Sequence, residues 1–202
     1  MIQLLVATRS VGKQKEFRDL LAVLPYDIVF PGDVGFAETV EEDGLEVHET
    51  FEANARAKAK WFASLSGLTT LADDSGLEVD ALDGAPGVYS KRFAGLDGPD
   101  HLVTAANNAK LVAALGAVAD PQRTARYRCV LVVAHPDGSE HIADGTTEGR
   151  ILREALGTNG FGYDPLFFST ELGRTFGEAT SVAKHGVSHR ARAVAALLPQ
   201  LA

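Results

Sequence analysis

Short apolar runs alternate with segments of helical period through the first third of the chain. Ile2–Ala7 is a nearly continuous apolar run, which is typical of a strand buried on both faces. Residues 14–24 place Phe17 and three leucines on one face of a helix, which Pro25 ends. The pattern repeats as a strand at 28–30, a helix at 50–65 and a strand at 69–72. Such alternation predicts an α/β fold.

The second half of the chain predicts antiparallel pairing. Apolar and alternating segments there are separated by short turns that contain glycine. The predicted elements are a helix at 100–115, strands ending at 134 and spanning 140–147 and 167–168, and a helix at 188–198. The chain has 202 residues, 46% of them hydrophobic, and no linker-like segment. We therefore expect one domain over residues 1–202, built on a mixed sheet.

Composition excludes several classes of protein. The formal net charge is −8, whereas unspecific binding to nucleic acid polymers requires a broad basic surface. The single cysteine, Cys129, lies in an apolar run and is predicted to be buried packing, so no intrachain disulfide can form. We find no signal peptide and no apolar run of the length that spans a membrane. These features predict a cytoplasmic protein that binds neither a membrane nor a nucleic acid polymer.

Paired carboxylates follow the strand at 69–72. Asp73 and Asp74 are followed by a serine and a glycine, and carboxylates suit a hard divalent cation held against a phosphate. If the strand continues, the two side chains point in opposite directions, so only one acid faces a given side. The polar, glycine-containing stretch at 31–44 is predicted to be a loop, and it contains two further acids, Glu41 and Glu42. From the residues alone, turn acids and a solvated charge run stay open as alternatives.

The junction between the first strand and the first helix is suited to an anion. Unpaired N–H groups and the helix dipole favour a phosphate there, Thr8 and Ser10 offer hydroxyls, and Arg9 and Lys13 offer charge. The G-x-x-x-x-G-K-[ST] spacing of a Walker loop is absent. A capped helix start with surface cations is the alternative.

A tight turn near residue 160 is suited to a flat ring. Gly160–Pro165 combines an aromatic side chain, two glycines and an acid. Lys184 and the run Ser188-His189-Arg190 supply cationic donors further along the chain. The alternatives are a core aromatic and exposed polar residues around a helix start, with Ser188 as N-cap.

These segments carry a family resemblance that covers almost the whole chain. The sequence resembles the inosine/xanthosine triphosphate pyrophosphatases, which remove damaged purine nucleoside triphosphates from the nucleotide pool. Six motifs in a fixed order carry the resemblance: Thr8-x-Ser10-x-x-Lys13, Glu41-Glu42-x-Gly44, Ala72-Asp73-Asp74-Ser75-Gly76, Gly84-Ala85-Pro86-Gly87, Phe161-Gly162-Tyr163-Asp164-Pro165 and Ser188-His189-Arg190.

The resemblance implies a structure, a reaction and a cofactor. The implied fold is elongated and two-lobed, with a central mixed β-sheet flanked by helices, the active site in the cleft between the lobes, and a homodimer as the assembly. The implied reaction is Mg²⁺-dependent hydrolysis of ITP, dITP and XTP to the nucleoside monophosphate and pyrophosphate. Asp74 would be the catalytic proton acceptor and a metal ligand, with Glu42 as the second metal ligand.

The resemblance also implies which residues contact the substrate. Residues 8–13 would cradle the triphosphate, and Arg190, with a backbone N–H near His189, would donate to the six-oxo group of the purine. An adenine amino group would leave those donors unpaired. The implied substrate-binding residues are Thr8, Arg9, Ser10, Val11, Gly12, Lys13, Lys58, Ser75, Phe161, Gly162, Tyr163, Asp164, Lys184, His189 and Arg190.

The chain departs from the family pattern after Gly44. Residues 45–49 lengthen the gap before Phe51, and Ala53 stands where the family has a glutamate. Glu49 or Glu52 could take the role of that missing acid. Two alternatives of function therefore stay open: a pyrophosphatase that prefers other nucleotides, such as modified pyrimidines, and a nucleotide-binding sensor without turnover.

Overall fold

The computed structural model describes residues 2–201, with the side chain of Asp43 left aside. Seven strands and five α-helices follow one another along the described chain. The strands are β1 (Ile2–Val6), β2 (Tyr26–Val29), β3 (Thr70–Val79), β4 (Thr124–Ala134), β5 (Glu140–Ile151), β6 (Phe167–Ser169) and β7 (Arg174–Thr175). The helices are α1 (Val11–Leu20), α2 (Phe51–Ser66), α3 (Asp100–Ala114), α4 (Ser181–His185) and α5 (His189–Leu197).

All seven strands belong to one mixed sheet, as predicted. Its order is β2-β1-β3-β4-β5-β6-β7. Strand β1 pairs in parallel with β2 and β3, with Leu5 opposite Val29 on one side and Thr70 on the other. Strands β5, β6 and β7 pair antiparallel. The N-terminal alternation and the later antiparallel pairing that the sequence indicates are both confirmed.

Contacts divide the described chain into two compact units, each formed from separate segments. The first unit contains the residues up to Asp74, Cys129–Gly145 and the residues from Arg190 onward. Its core contains apolar residues from β1, α1, α2 and α5, together with Cys129, which is buried as predicted. The second unit contains Ser75–Arg128 and Thr146–His189, and its own core includes Tyr127, Phe167 and Phe176.

Two local predictions were wrong in ways that matter for function. The strand predicted at 69–72 continues through the acidic pair to Val79. Both carboxylates can occupy a buried strand because each has a polar partner elsewhere in the first unit. The segment predicted as loop at 31–44 contains a 3₁₀ helix at Val40–Glu46, where the backbone N–H of Thr39 donates to the Glu42 carboxylate over 3.3 Å. Within residues 2–201, no helix is long and apolar enough to cross a membrane.

Candidate active site

The segment between β1 and α1 is an ordered helix start. Ser10 is the N-cap of α1, and its hydroxyl accepts from the backbone N–H of Lys13 over 3.5 Å. The hydroxyl of Thr8 accepts from the N–H of Ser10, and Gln14 donates to the Thr8 carbonyl. Val11 is largely exposed at the first position of the helix. This geometry holds the loop in one conformation at the positive end of a ten-residue helix, as an anion site requires.

The two aspartates of β3 have different partners. Asp73 accepts from the Lys13 ammonium over 2.9 Å and from the Arg190 guanidinium over 3.2 Å. Asp74 accepts from the Asn54 side-chain amide of α2 over 2.8 Å. Because β3 continues through both residues, their side chains alternate in direction. Asp73 is therefore engaged in ion pairs, and Asp74 is engaged by a neutral donor.

Asp73 belongs to a buried charge cluster of two acids and two bases. Arg190 also donates to Glu16 of α1, so the cluster contains Lys13, Glu16, Asp73 and Arg190. Burial alone would raise the pKa of Asp73, but the charges of Lys13 and Arg190 outweigh it and hold that pKa well below its usual range. Arg190 is 1% exposed. The resemblance implies that Arg190 reads the base, whereas the structure engages its guanidinium inside the first unit.

Asp74 and Glu46 are linked through one face of α2. Asn54 and Lys58 lie one helical turn apart, so their side chains share that face. Asn54 donates to Asp74, and Lys58 forms an ion pair with Glu46. The carbonyl oxygen of the Asn54 side chain accepts from the N–H of His48 over 2.8 Å, which fixes the orientation of the amide. The two carboxylates are thus held against adjacent turns of a single helix.

The electrostatics of these two acids differ. Burial raises the pKa of Asp74, although the charges of Lys13 and Lys58 oppose that rise. Burial would also raise the pKa of Glu46, but Lys58 and Lys13 outweigh it and lower the pKa. The charge of Glu46 contributes to the raised pKa of Asp74. A buried carboxylate with a raised pKa is suited to accept a proton, and a nearby second carboxylate favours a bound cation.

Glu42, the predicted metal ligand, is engaged by Arg9. The guanidinium of Arg9 donates from Nη2 and Nε to the two carboxylate oxygens of Glu42, over 2.7 Å and 3.1 Å. Glu49 is exposed, and Glu52 forms a surface pair with Arg56 on α2. Glu46 is the acid that reaches Lys58.

The second unit contains the aromatic turn. Asp164 accepts from the backbone N–H of Phe161 over 2.9 Å and from the Lys184 ammonium over 2.6 Å. The same ammonium lies 4.9 Å from the centre of the Phe161 ring, which is 38% exposed. A Cβ at Gly160 would collide with the Asp164 carboxylate, so a glycine is required there. The turn therefore presents a half-exposed aromatic ring with a buried cation beside it.

Three other predicted residues of the second unit contact its core or its helices. Tyr163 is buried, and its hydroxyl donates to the Ser90 carbonyl over 2.8 Å. The Gly162 carbonyl accepts from Asn108 of α3. The ring of His189 stacks on Tyr127 with 4.7 Å between ring centres. These residues hold the turn and the start of α5 in place.

The structure thus brings the predicted residues together in two groups. The first unit assembles the helix start at 8–13 with Lys58, Asp74 and Arg190, and the second assembles Phe161–Asp164 with Lys184 and His189. Ser75 follows Asp74 directly on β3. Over the part of the chain that the structure describes, no group of three or more His, Cys, Asp or Glu side chains is placed to hold a metal.

Two residues of the first group were missed by the sequence. Glu46 lies within the lengthened segment. The sequence signal that could have identified it is its position shortly before Phe51, where α2 begins. Glu16 lies in α1, where a glutamate is typical of an exposed helix face. No local pattern marks Glu16, because its partner Arg190 is 174 positions away.

Comparison with known proteins adds independent findings. The sequence profile of the Ham1 family matches residues 4–200. A dITP/XTP pyrophosphatase from Desulforamulus reducens is 50% identical over 194 residues, which cover 96% of this chain and 92% of that protein. A dITP/XTP pyrophosphatase from Geobacter sulfurreducens is 47% identical, and the match covers 100% of this chain and 97% of that protein.

Solved structures are also similar. A HAM1 protein from Coxiella burnetii superposes with a TM-score of 0.84 at 35% identity and covers 100% of this chain and 98% of its own. A nucleoside-triphosphatase / dITP/XTP pyrophosphatase from Mycobacterium abscessus superposes with a TM-score of 0.75 at 41% identity. The match covers 98% of this chain and 100% of that protein.

Proposed function

Because the chain belongs to the Ham1 family, we propose that it hydrolyses non-standard purine nucleoside triphosphates, namely ITP, dITP and XTP, to the monophosphate and pyrophosphate. The observation that carries the proposal is that Asp74 and Glu46 contact Asn54 and Lys58 on one face of α2, with Lys13 as a second nearby lysine. This arrangement joins a carboxylate able to accept a proton to cations able to neutralise phosphate.

The acid pair fits a magnesium ion. Mg²⁺ in nucleotide enzymes is bound by one or two carboxylates, while water and substrate phosphate complete its shell. Asp74 and Glu46 supply two carboxylates, held at adjacent turns of α2 by Asn54 and Lys58. When bound, the ion would supply positive charge to phosphate oxygens. Asp74 and Glu46 would hold it, in place of the implied Asp74 and Glu42.

The protein's own residues account for the rest of the chemistry. The N–H groups at the start of α1 and the ammonium of Lys13 bind phosphate oxygens, and Lys58 adds a second cation. Asp74 orients the attacking water and accepts its proton. Positioning and charge stabilisation of this kind dominate phosphoryl transfer.

We assign recognition of the base to the aromatic turn. The Phe161 ring stacks on a purine, and the Lys184 ammonium donates to an oxo group of that ring. An amino group at the same position donates hydrogen bonds, and the Lys184 ammonium has no acceptor for it, which disfavours adenine. Arg190 is not assigned to the base, since both of its terminal nitrogens are engaged by carboxylates.

One assay tests this function. Release of pyrophosphate from ITP should require Mg²⁺ and stop when EDTA is added, and ITP and XTP should be hydrolysed far faster than ATP. A protein that binds ITP without releasing pyrophosphate would be a sensor. Preference for a modified pyrimidine triphosphate in the same panel would support the other alternative.

Replacing Glu46 by glutamine should raise the Mg²⁺ concentration needed for half-maximal activity, because one anionic ligand is lost. We expect a shift of roughly tenfold or more, the effect of about 1.4 kcal/mol. Glu52→Gln is the matched control, since Glu52 is an exposed acid of α2 that pairs with Arg56 at the surface. An equal or larger shift for Glu52→Gln would reject Glu46 as the ligand.

The homodimer and the cytoplasmic location stay predictions. The first is implied by the resemblance, and the second is an expectation from the sequence, which has a single cysteine.

A further inference from the structure

We propose that Arg9 and Glu42 are a positioning pair that places Glu46 next to Asp74, which rests on the function proposed above. We call the pair, with the carbonyls of Phe36 and Ala37, the Arg9–Glu42 clamp. Sequence reasoning assigned Arg9 to phosphate and Glu42 to the metal. The structure joins the two side chains to each other instead.

In the clamp, the guanidinium of Arg9 donates hydrogen bonds to groups of one short segment, residues 36–42. Nε and Nη2 donate to the two oxygens of Glu42, Nη1 donates to the Phe36 carbonyl over 2.8 Å, and Nη2 also donates to the Ala37 carbonyl over 3.0 Å. The hydrogen bonds to Glu42 raise the pKa of Arg9. Four contacts in this geometry hold the segment 36–42 against the loop after β1. Arg9 cannot turn to a phosphate without breaking them.

The clamped segment leads directly to Glu46. Glu42 and Glu46 lie in the same 3₁₀ helix, Val40–Glu46, so fixing Glu42 fixes the start of the element that ends at Glu46. The far end is held by the ion pair of Glu46 with Lys58. Residues 45–49, which lengthen the chain here, would otherwise leave Glu46 on a long connection. The clamp therefore offsets the extra conformational freedom of the insertion.

The test is a double-mutant cycle on the full-length protein with two readouts. The variants are Arg9→Ala, Glu42→Ala and both together, with Arg18→Ala as the matched control because Arg18 forms an exposed ion pair with Asp33. The first readout is Mn²⁺ affinity by EPR in the presence of α,β-methylene-ITP. The second is hydrogen exchange of the amides at 40–46 without metal or nucleotide.

We expect each single variant to weaken Mn²⁺ binding by a similar factor, roughly tenfold for residues coupled in one network. The double variant should be no worse than either single one, the amides at 40–46 should exchange faster in all three, and Arg18→Ala should change neither readout. Losses that multiply in the double variant, or protection at 40–46 that survives Arg9→Ala, would overturn the clamp. Hydrogen exchange needs no nucleotide, so a wild-type protein that fails to hydrolyse ITP would reject the proposed function while the exchange data still decide on the clamp.

Discussion

Replacing Asp74 by asparagine should abolish turnover while raising the thermal midpoint of unfolding. Asparagine keeps the shape and can still accept from Asn54, but it neither takes up the proton of the attacking water nor contributes an anionic metal ligand. We expect the rate to fall roughly a thousandfold or more, as for other losses of several kcal/mol of transition-state stabilisation. Pyrophosphate release from ITP and thermal unfolding in EDTA measure the two effects.

The gain in stability follows from the raised pKa of Asp74. A carboxyl whose pKa is raised by folding binds its proton more tightly in the native state than in the unfolded state. Stability therefore falls as the pH rises from the unfolded value, about 3.9, through the higher native value, and stays lowered above both. Asparagine never ionises, so it removes that loss at neutral pH. A variant with more than a tenth of wild-type activity would contradict the catalytic role, and a lowered midpoint would contradict the electrostatic argument.

The sheet and its main helices could be predicted because their signals are local. The apolar run that became β1 and the helical face carrying Phe17 need only neighbouring residues to be recognised. The extent of β3 could not be predicted in this way. Two adjacent aspartates normally end a strand, and what allows them inside one is a set of partners far along the chain, such as Lys13 and Arg190.

In the candidate site, too, local motifs could be predicted from the sequence, whereas the pairing of side chains could not. The resemblance located the aromatic turn and the helix start because those motifs match without a gap. It assigned the second metal ligand to Glu42 because Glu41-Glu42-x-Gly44 matches the family motif, although the lengthened segment follows it. The structure shows that Glu42 is engaged by Arg9 and that Glu46 reaches Lys58. Only the packing of α2 against β3 distinguishes these two acids.

Replacing Arg190 by methionine should destabilise the protein strongly and leave base selectivity almost unchanged. Methionine retains the apolar part of the side chain but leaves Glu16 and Asp73 without the guanidinium that they share. Removing one partner from a buried ion pair costs about 3–5 kcal/mol, mainly because a charge stays buried without compensation. We expect the free energy of unfolding in urea to fall by that amount, and the ratio of kcat/KM for ITP over ATP to stay close to the wild-type value.

Two comparisons separate this role from base reading. Arg153→Met removes an exposed arginine paired with Asp120 and should cost no more than about 1 kcal/mol, as exposed pairs do. Lys184→Met, in the aromatic turn, should lower the ITP-to-ATP ratio, because its ammonium lies between Asp164 and the Phe161 ring. Arg190→Met could instead lower that ratio as much as Lys184→Met does and unfold at the wild-type urea concentration. Arg190 would then contact the base, and its ion pairs with Glu16 and Asp73 would not stabilise the protein. Loss of stability with selectivity retained would place the discrimination between oxo and amino purines in the aromatic turn. Arg190 would then have the structural role of keeping Asp73 charged and fixed beside Lys13, at the start of α1.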